Sequence, residues 1–403
     1  MKMDGENRRI HVIDGMRGFS LLGILAANML IFQYGMFGKD EMEAFSPSGL
    51  DHFLHEFLKV FVESSFMPIF TFLFGYSLIK LKEGLEDKGL KYRRHLVRRF
   101  FLLLVLGGLH GGLLWEGDIL FSYGIMGFFL LFFLNRKKKT LLVWGIVLLI
   151  LASFMGYGMH TEVPAEEAKR MEEYVADTNK IFGTGTYSEI SLHRSNADPF
   201  GMPDSFYLFM MLAMPFITAP LFLFGMYAAR RRAFHEIGRN KSRYLLWGGI
   251  LAGAGILLKA SPLMVQETGW TGVLYMFGGN ILSLGYIFLF AWLYAVKGRF
   301  VLFRAFESVG RLSLSNYLLQ SVICTTVFYG YGLGMFGKLG VLAGILLTVA
   351  IYSIQLAGSY FYLKWFRTGP FEKIMRMWTY FSLSGRPKTK KAKEDRELLA
   401  NAQ

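Results

Sequence analysis

The sequence predicts an all-α integral membrane protein of about ten transmembrane helices with both termini in the cytoplasm. Three observations carry this fold class. Hydrophobic residues make up 53% of the chain, with 39 Phe and a mean hydropathy of +0.36, more apolar surface than a water-soluble domain buries. The apolar residues fall in separate runs of about 18–25, the length that crosses a bilayer as a helix. The formal charge of +14 comes from short basic clusters between alternate runs. That is the positive-inside pattern and speaks against nucleic acid as a partner.

The runs follow in order. A polar, basic start (Lys2, Arg8, Arg9) and Asp14-Gly-Met-Arg17 lead into a first span ending near Tyr34. An acidic loop, 36–57, precedes a second span at 58–79. Eight basic residues between Lys80 and Arg99 then introduce the third span, 99–115. The turn Trp115-Glu116-Gly117-Asp118 joins it to the fourth, 119–134. Arg136 to Lys139 precede a fifth span reaching Tyr157, and a long acidic stretch, 159–204, follows with room for short amphipathic helices. Spans six to ten cover 205–229, 244–260, 272–296, 312–333 and 339–363. Basic loops at 230–243 and 297–311 and a tail holding Arg386, Lys388, Lys390, Lys391 and Lys393 agree with a cytoplasmic N-terminus, whereas the acidic loops fall outside. Residues 1–369 therefore read as a polytopic transmembrane domain and 370–403 as an amphipathic, basic cytoplasmic tail. Asp14, Arg17 and the lack of a small-residue cleavage site predict a retained first span. The single cysteine, Cys324, excludes an intrachain disulfide, and no metal is predicted. Membrane lipids are the implied surroundings, and an oligomer is left open.

An ionisable group inside an apolar run is a functional candidate because its burial is costly. His110 is the clearest case. It lies eleven residues after Arg99, so the two share a helix face with an offset of about 20° and a separation of about 16 Å. Both can address one elongated ligand, whereas Arg98 lies about 120° from His110. Gly107, Gly108, Gly111 and Gly112 form two overlapping Gly-xxx-Gly pairs that admit a neighbouring helix or a ligand. The plainer reading makes His110 a helix-packing contact. Asp118 and Glu116, in the tight turn, either orient its imidazole or stay solvated, with solvation the expectation for Glu116. Asp14 and Arg17 (i, i+3) form either a local ion pair or a phosphate or adenine site. Glu63 falls near the estimated depth of His110, as a partner or as a packing group. Asn28, Asn280, Asn316, Gln320 and Gln355 read as interhelical glue, and His52 and His55 as solvated loop residues.

Five segments together resemble the YeiB-like family of bacterial membrane proteins (domain of unknown function 418). They are Arg9 through Asp14 and Arg17 to Leu25, Phe70 to Tyr76, Arg98 through His110 to Leu120, Gly310 to Ser321, and Gly369 to Glu372 with Trp378-Thr-Tyr. This family in turn resembles a wider superfamily of transmembrane acyltransferases, in which an Arg, ten residues and a His recur in one transmembrane helix, as in Arg99 and His110. The resemblance implies a multi-pass protein of the bacterial cytoplasmic membrane. It would move an acyl group from acetyl-CoA, or another acyl-CoA, to an extracytoplasmic or lipid-linked acceptor such as a glycan. It assigns His110 to the transfer, as a base or transiently acylated, and Arg99 to the donor. Imidazole suits the base, Asp118 or Glu63 can orient it, and Arg17, Arg94, Arg98 and Arg99 would meet the anionic CoA at the cytoplasmic face. The alternative is a transporter in which His110, Glu63 and Asp118 form a proton or substrate path.

Overall fold

In the computed structural model, every regular element among the described residues (10–159, 161, 164–265 and 268–387) is helical. The basic residues Lys2, Arg8, Arg9, Lys388, Lys390, Lys391 and Lys393, and Glu162, lie outside them. In order the helices are α1 (His11–Tyr34), α2 (Gly49–Phe61), α3 (Met67–Glu86), α4 (Tyr92–Leu113), α5 (Leu120–Leu130), α6 (Lys138–Ser153), α7 (Ala165–Thr184) and α8 (Tyr187–Asn196). The second half holds α9 (Asp204–Arg230), α10 (Lys241–Lys259), α11 (Ser261–Met264), α12 (Gly269–Lys297), α13 (Val301–Arg311), α14 (Ser313–Phe328), α15 (Val341–Trp365) and α16 (Pro370–Tyr380).

Among the described residues, six helices are long and apolar enough to cross a membrane: α1, α4, α6 with its extension to Gly156, α9, α12 and α15. The chain is thus a multi-pass membrane protein. The four other expected spans are helical too. However, α5 and α14 have only 11 and 16 residues, and charged ends shorten the apolar stretch of α3 and α10.

Two expected loops are corrected. Residues 36–57 hold a short 3-10 turn and most of α2, whose start is closed by a Ser48–Asp51 capping box. The second span then begins at Met67, after a break in which Ser64 takes a positive φ of 54°. Residues 297–311 contain α13, an amphipathic helix that buries Phe303, Phe306 and Val309. Both helices are amphipathic, so a search for continuous apolar runs passes over them.

Helix α1 is central, packing on α3, α13, α14 and α15. It approaches α13 closely because Gly18 faces the Phe306 carbonyl and Gly310 faces the Asp14 carbonyl, where a Cβ on either glycine would overlap backbone. The first turn of α1 is thereby held against the last turn of α13. Helices α4 and α5 form an antiparallel pair, and α16 lies along α4. Trp378 Nε1 donates to the Arg98 carbonyl at 2.8 Å, and the Arg98 guanidinium sits over the Phe381 ring at 4.5 Å.

The expected helices in the acidic stretch are α7, longer than expected at 20 residues, and the short α8 of 10 residues, which docks on the end of α4. The Tyr187 hydroxyl donates to the Leu113 carbonyl (2.7 Å) and Arg194 Nη2 to the Gly112 carbonyl (3.0 Å), satisfying carbonyls the helix leaves open. Between α7 and α8, His193 hydrogen-bonds Thr178 (2.8 Å) and stacks on Tyr174. Burial pushes the His193 pKa below its ordinary 6.5, and Asp177 opposes this in part. With the folded pKa depressed, the unfolded chain binds more protons, so hairpin stability is complete above about pH 6.5 and is lost as pH falls through the lower folded value. Protection factors across 165–196, which remove the intrinsic pH dependence of amide exchange, should therefore fall between about pH 7.5 and pH 5.5. His193→Gln should flatten that dependence, and an unchanged profile in this variant would remove His193 as the cause.

Candidate functional site

The last two turns of α4 bring His110 to the start of α5. Its Nδ1 lies 2.7 Å from Asp118 Oδ1, and the two side chains are only 3% and 4% exposed. The second carboxylate oxygen, Oδ2, accepts from the Phe121 backbone N–H at 2.7 Å, capping the first turn of α5. A carboxylate can only accept, so it assigns the proton to Nδ1 and leaves the lone pair on Nε2. Among the described residues, Nε2 is buried and has no hydrogen-bond partner. The imidazole is walled by Tyr317 (ring centroids 5.3 Å apart) and Trp115 (6.4 Å), and Trp115 stacks on Phe32 at 4.2 Å.

A cavity of about 320 Å³ runs toward this pair. At one end stand Arg17, Arg99, Arg311, Arg367 and Arg376 with Glu372, and at the other Phe70, Phe74, Leu103, Ile119, Tyr123 and Tyr317. Five guanidinium groups against two carboxylates, Glu372 and the Asp14 that pairs with Arg17, leave the polar end cationic. Glu372 is engaged elsewhere: it accepts from the backbone N–H of Leu314 (2.8 Å) and Ser315 (3.1 Å) and from Ser315 Oγ (2.6 Å), capping α14. Arg17 is held in place by Asp14 Oδ1 (3.1 Å), Ser77 Oγ (2.8 Å) and the Gly310 carbonyl (3.3 Å). Its forked head thus ties α1 to α3 and α13 while it lines the cavity.

At the far end Tyr317 separates the cavity from His110. Its hydroxyl accepts from the Ile119 backbone N–H (3.2 Å) and reaches the Gly117 carbonyl (3.4 Å), holding the ring against the 117–119 turn. Tyr123 also lines this end, packed among Phe70, Phe74 and Phe222. Its hydroxyl is buried without a partner among the described residues. An apolar end with one unsatisfied donor, joined to a cationic mouth, fits a long ligand with a phosphate head and a small polar group at its tip.

The sequence candidates separate into two groups. His110 and Asp118 are paired, and Arg99, Arg17 and Asp14 converge at or beside the cavity mouth. Arg98 faces α16 through Phe381 and does not line the cavity. Glu63 pairs with Lys39 (2.6 Å), and its backbone carbonyl accepts from Lys259, so it is not the imidazole's partner. Glu63 precedes α3, which begins only at Met67, and so does not lie within the second span where the apolar run places it. Glu116 is not freely solvated: it faces Arg194 at 3.6 Å. His55 is buried, with Nε2 2.8 Å from the Lys39 carbonyl, and only His52 fits the solvated reading. The glue reading holds for Asn316, which donates to Ser359, and for Gln320, which donates to Gln355. Asn280 instead bonds within its own helix, to Met276. Reading the sequence missed Tyr123, Tyr317, Arg367 and Arg376. A signal for two of them existed, since Tyr317 lies in the segment with Arg311, and Arg367 stands just before Gly369-Pro-Phe-Glu372.

Comparison with known proteins bears on the family. A family described as "Protein of unknown function (DUF418)" matches residues 228–382. The chain is 32% identical over 401 residues to the uncharacterized protein YxaH of Bacillus subtilis (strain 168), covering 96% of this chain and 98% of that one. It is 27% identical to the uncharacterized protein YeiB of Escherichia coli (strain K12), over 91% of this chain and 95% of the other. A 39.9 kDa protein from the amylase 3′ region of Bacillus acidopullulyticus is also 27% identical, with 93% and 94% covered. No solved structure matches. Near-complete coverage in both directions means the likeness runs along nearly the whole chain, and the chain accordingly belongs to the YeiB-like DUF418 family.

Proposed function

We propose that the protein is an acyltransferase of the bacterial cytoplasmic membrane, with ten spans and both termini inside. It takes an acyl group, acetyl in the simplest case, from acyl-CoA and passes it to an extracytoplasmic or lipid-linked acceptor such as a glycan. One observation carries the reading: the cavity that opens among five arginines ends on Tyr317, directly against the His110–Asp118 pair. CoA is a cytosolic polyanion on a narrow arm. Its phosphates suit the arginines, and the arm spans the separation of about 16 Å between Arg99 and His110.

The chemistry follows from the tautomer. Nε2 of His110 takes the proton of the acceptor hydroxyl, and that oxygen bonds to the acyl carbon. The carbon–sulfur bond then breaks, and the departing sulfur takes the proton back from Nε2. Asp118 holds Nδ1–H and stabilises the imidazolium between the two transfers. The Tyr317 ring must turn aside to admit the thioester, and the free Tyr123 hydroxyl donates to the carbonyl oxygen as charge builds on it.

Filter binding of radiolabelled acetyl-CoA to the purified full-length protein tests this. Wild type should bind, and Arg99→Ala should bind about tenfold less well. Tyr123→Phe should lose a preference for acetyl-CoA over CoA of about three- to tenfold, the worth of one hydrogen bond to a carbonyl that CoA lacks. A folded wild type that binds neither would overturn the reading. Proton-coupled uptake into proteoliposomes in its place would assign His110 and Asp118 to a transport path.

A further inference from the structure

A second cleft, of about 360 Å³, lies on the other side of Arg311, between the start of α1, α13 and the last turns of α15. A carboxylate sits at its base but is fully occupied. Glu307, 3% exposed, accepts from the Tyr294 hydroxyl (2.7 Å) and from Arg299 (2.7 and 3.1 Å), and His11 Nδ1 lies 3.2 Å away. Arg299 and Glu307 therefore cancel, and the cleft keeps the charge of Arg304 and Lys364. Arg304 is exposed and is aimed by its Nε, which donates to the Arg299 carbonyl at 3.0 Å. Lys364 Nζ rests over the rings of Tyr360 (5.0 Å) and Phe361 (4.8 Å), held upright at the mouth.

We propose that this cleft binds the phosphate of an anionic phospholipid. The shared chemistry is a phosphate anion, and the surroundings favour the lipid source. Lys364 is in the last turn of α15, one of the helices able to cross a membrane, so the cleft lies at a membrane boundary. Exposed apolar residues flank the lining residues Arg299, Arg304 and Lys364 along the chain. Phe300 and Val301 are exposed where α13 begins, as are Phe361 and Trp365 where α15 ends, Trp365 to 84%. A free anion needs no such flank, whereas a phospholipid lays its chains against it while the phosphate meets the cations. The site shares only Arg311, as a common wall, with the acyl-donor cavity and does not depend on the proposed reaction.

Native mass spectrometry of the full-length protein released from mixed micelles tests the proposal, with phosphatidylglycerol and phosphatidylcholine supplied in equal amounts. Wild type should retain phosphatidylglycerol in preference. Arg304→Gln/Lys364→Gln should reduce that retention about 25-fold, at about fivefold per lost cation, without a change in melting temperature. Lys364→Gln alone should reduce it about fivefold, which provides a readout if the double variant folds poorly. Lys137→Gln/Lys139→Gln removes two exposed cations elsewhere and should leave retention unchanged. Equal retention of both lipids, or an equal loss in that control, would overturn the site. So would displacement of the lipid by inorganic phosphate, which would mark a free-anion site.

Discussion

Asp118→Asn is expected to lower acyl transfer about 10³–10⁴-fold, the scale of a wrong tautomer in a nucleophile–base–carboxylate triad, while donor affinity stays near that of wild type. The reason is the double duty of the carboxylate. One oxygen caps Phe121 and the other accepts from His110. An asparagine has one acceptor oxygen. If it keeps the Phe121 cap, its amide turns an N–H toward Nδ1, moves the imidazole proton to Nε2 and removes the base. Its shape matches aspartate, so α5 keeps its start and the cavity its mouth. The measurement is release of CoA thiol in the presence of cell-envelope extract, together with the acetyl-CoA dissociation constant of the same preparation. His110→Ala should give an equal loss of transfer with binding retained. Wild-type transfer by either variant would sink the role assigned to the pair.

The second large effect concerns stability. Gly107→Ala should destabilise the protein by about 1–3 kcal/mol or more, because a Cβ there would come within 2.6 Å of Phe121 Cα and 2.7 Å of Asp118 Oδ2. Backbone cannot yield as a flexible side chain does. Hence α4 and α5 must separate, and the carboxylate that binds His110 moves with them. Gly108→Ala and Gly112→Ala provide the contrast. Neither position has anything within 4 Å of an added Cβ, so each should be neutral or stabilising by up to about 1 kcal/mol through helix propensity. Thermal unfolding in one detergent, followed by tryptophan fluorescence, ranks the three variants. Equal melting temperatures would mean that the close approach at Gly107 contributes nothing.

These glycines mark where reading the chain in order stops. Spacing identifies two overlapping Gly-xxx-Gly pairs around His110, and both look alike. In the fold, Gly107 and Gly111 face the start of α5, whereas Gly108 and Gly112 face outward. The same divide separates Arg99, which lines the cavity, from Arg98, which turns to α16. It also separates Asp118, which holds the imidazole, from Glu63, which pairs with Lys39.

Residue order establishes the all-helical membrane class, because the length of an apolar run and the placement of its flanking charges are properties of the run alone. It also aligns Arg99 with His110, because helical periodicity is local. Packing adds the rest: the carboxylate on His110, the free Tyr123 hydroxyl, and the meeting of Arg311, Arg367 and Arg376 with Arg17 and Arg99 at one mouth. A membrane helix is apolar on its lipid face as well as its packed face, so hydropathy carries little contrast to say which side meets a neighbour. Without that contrast the sequence can list the polar groups inside the bundle, and only the crossing of the helices pairs them.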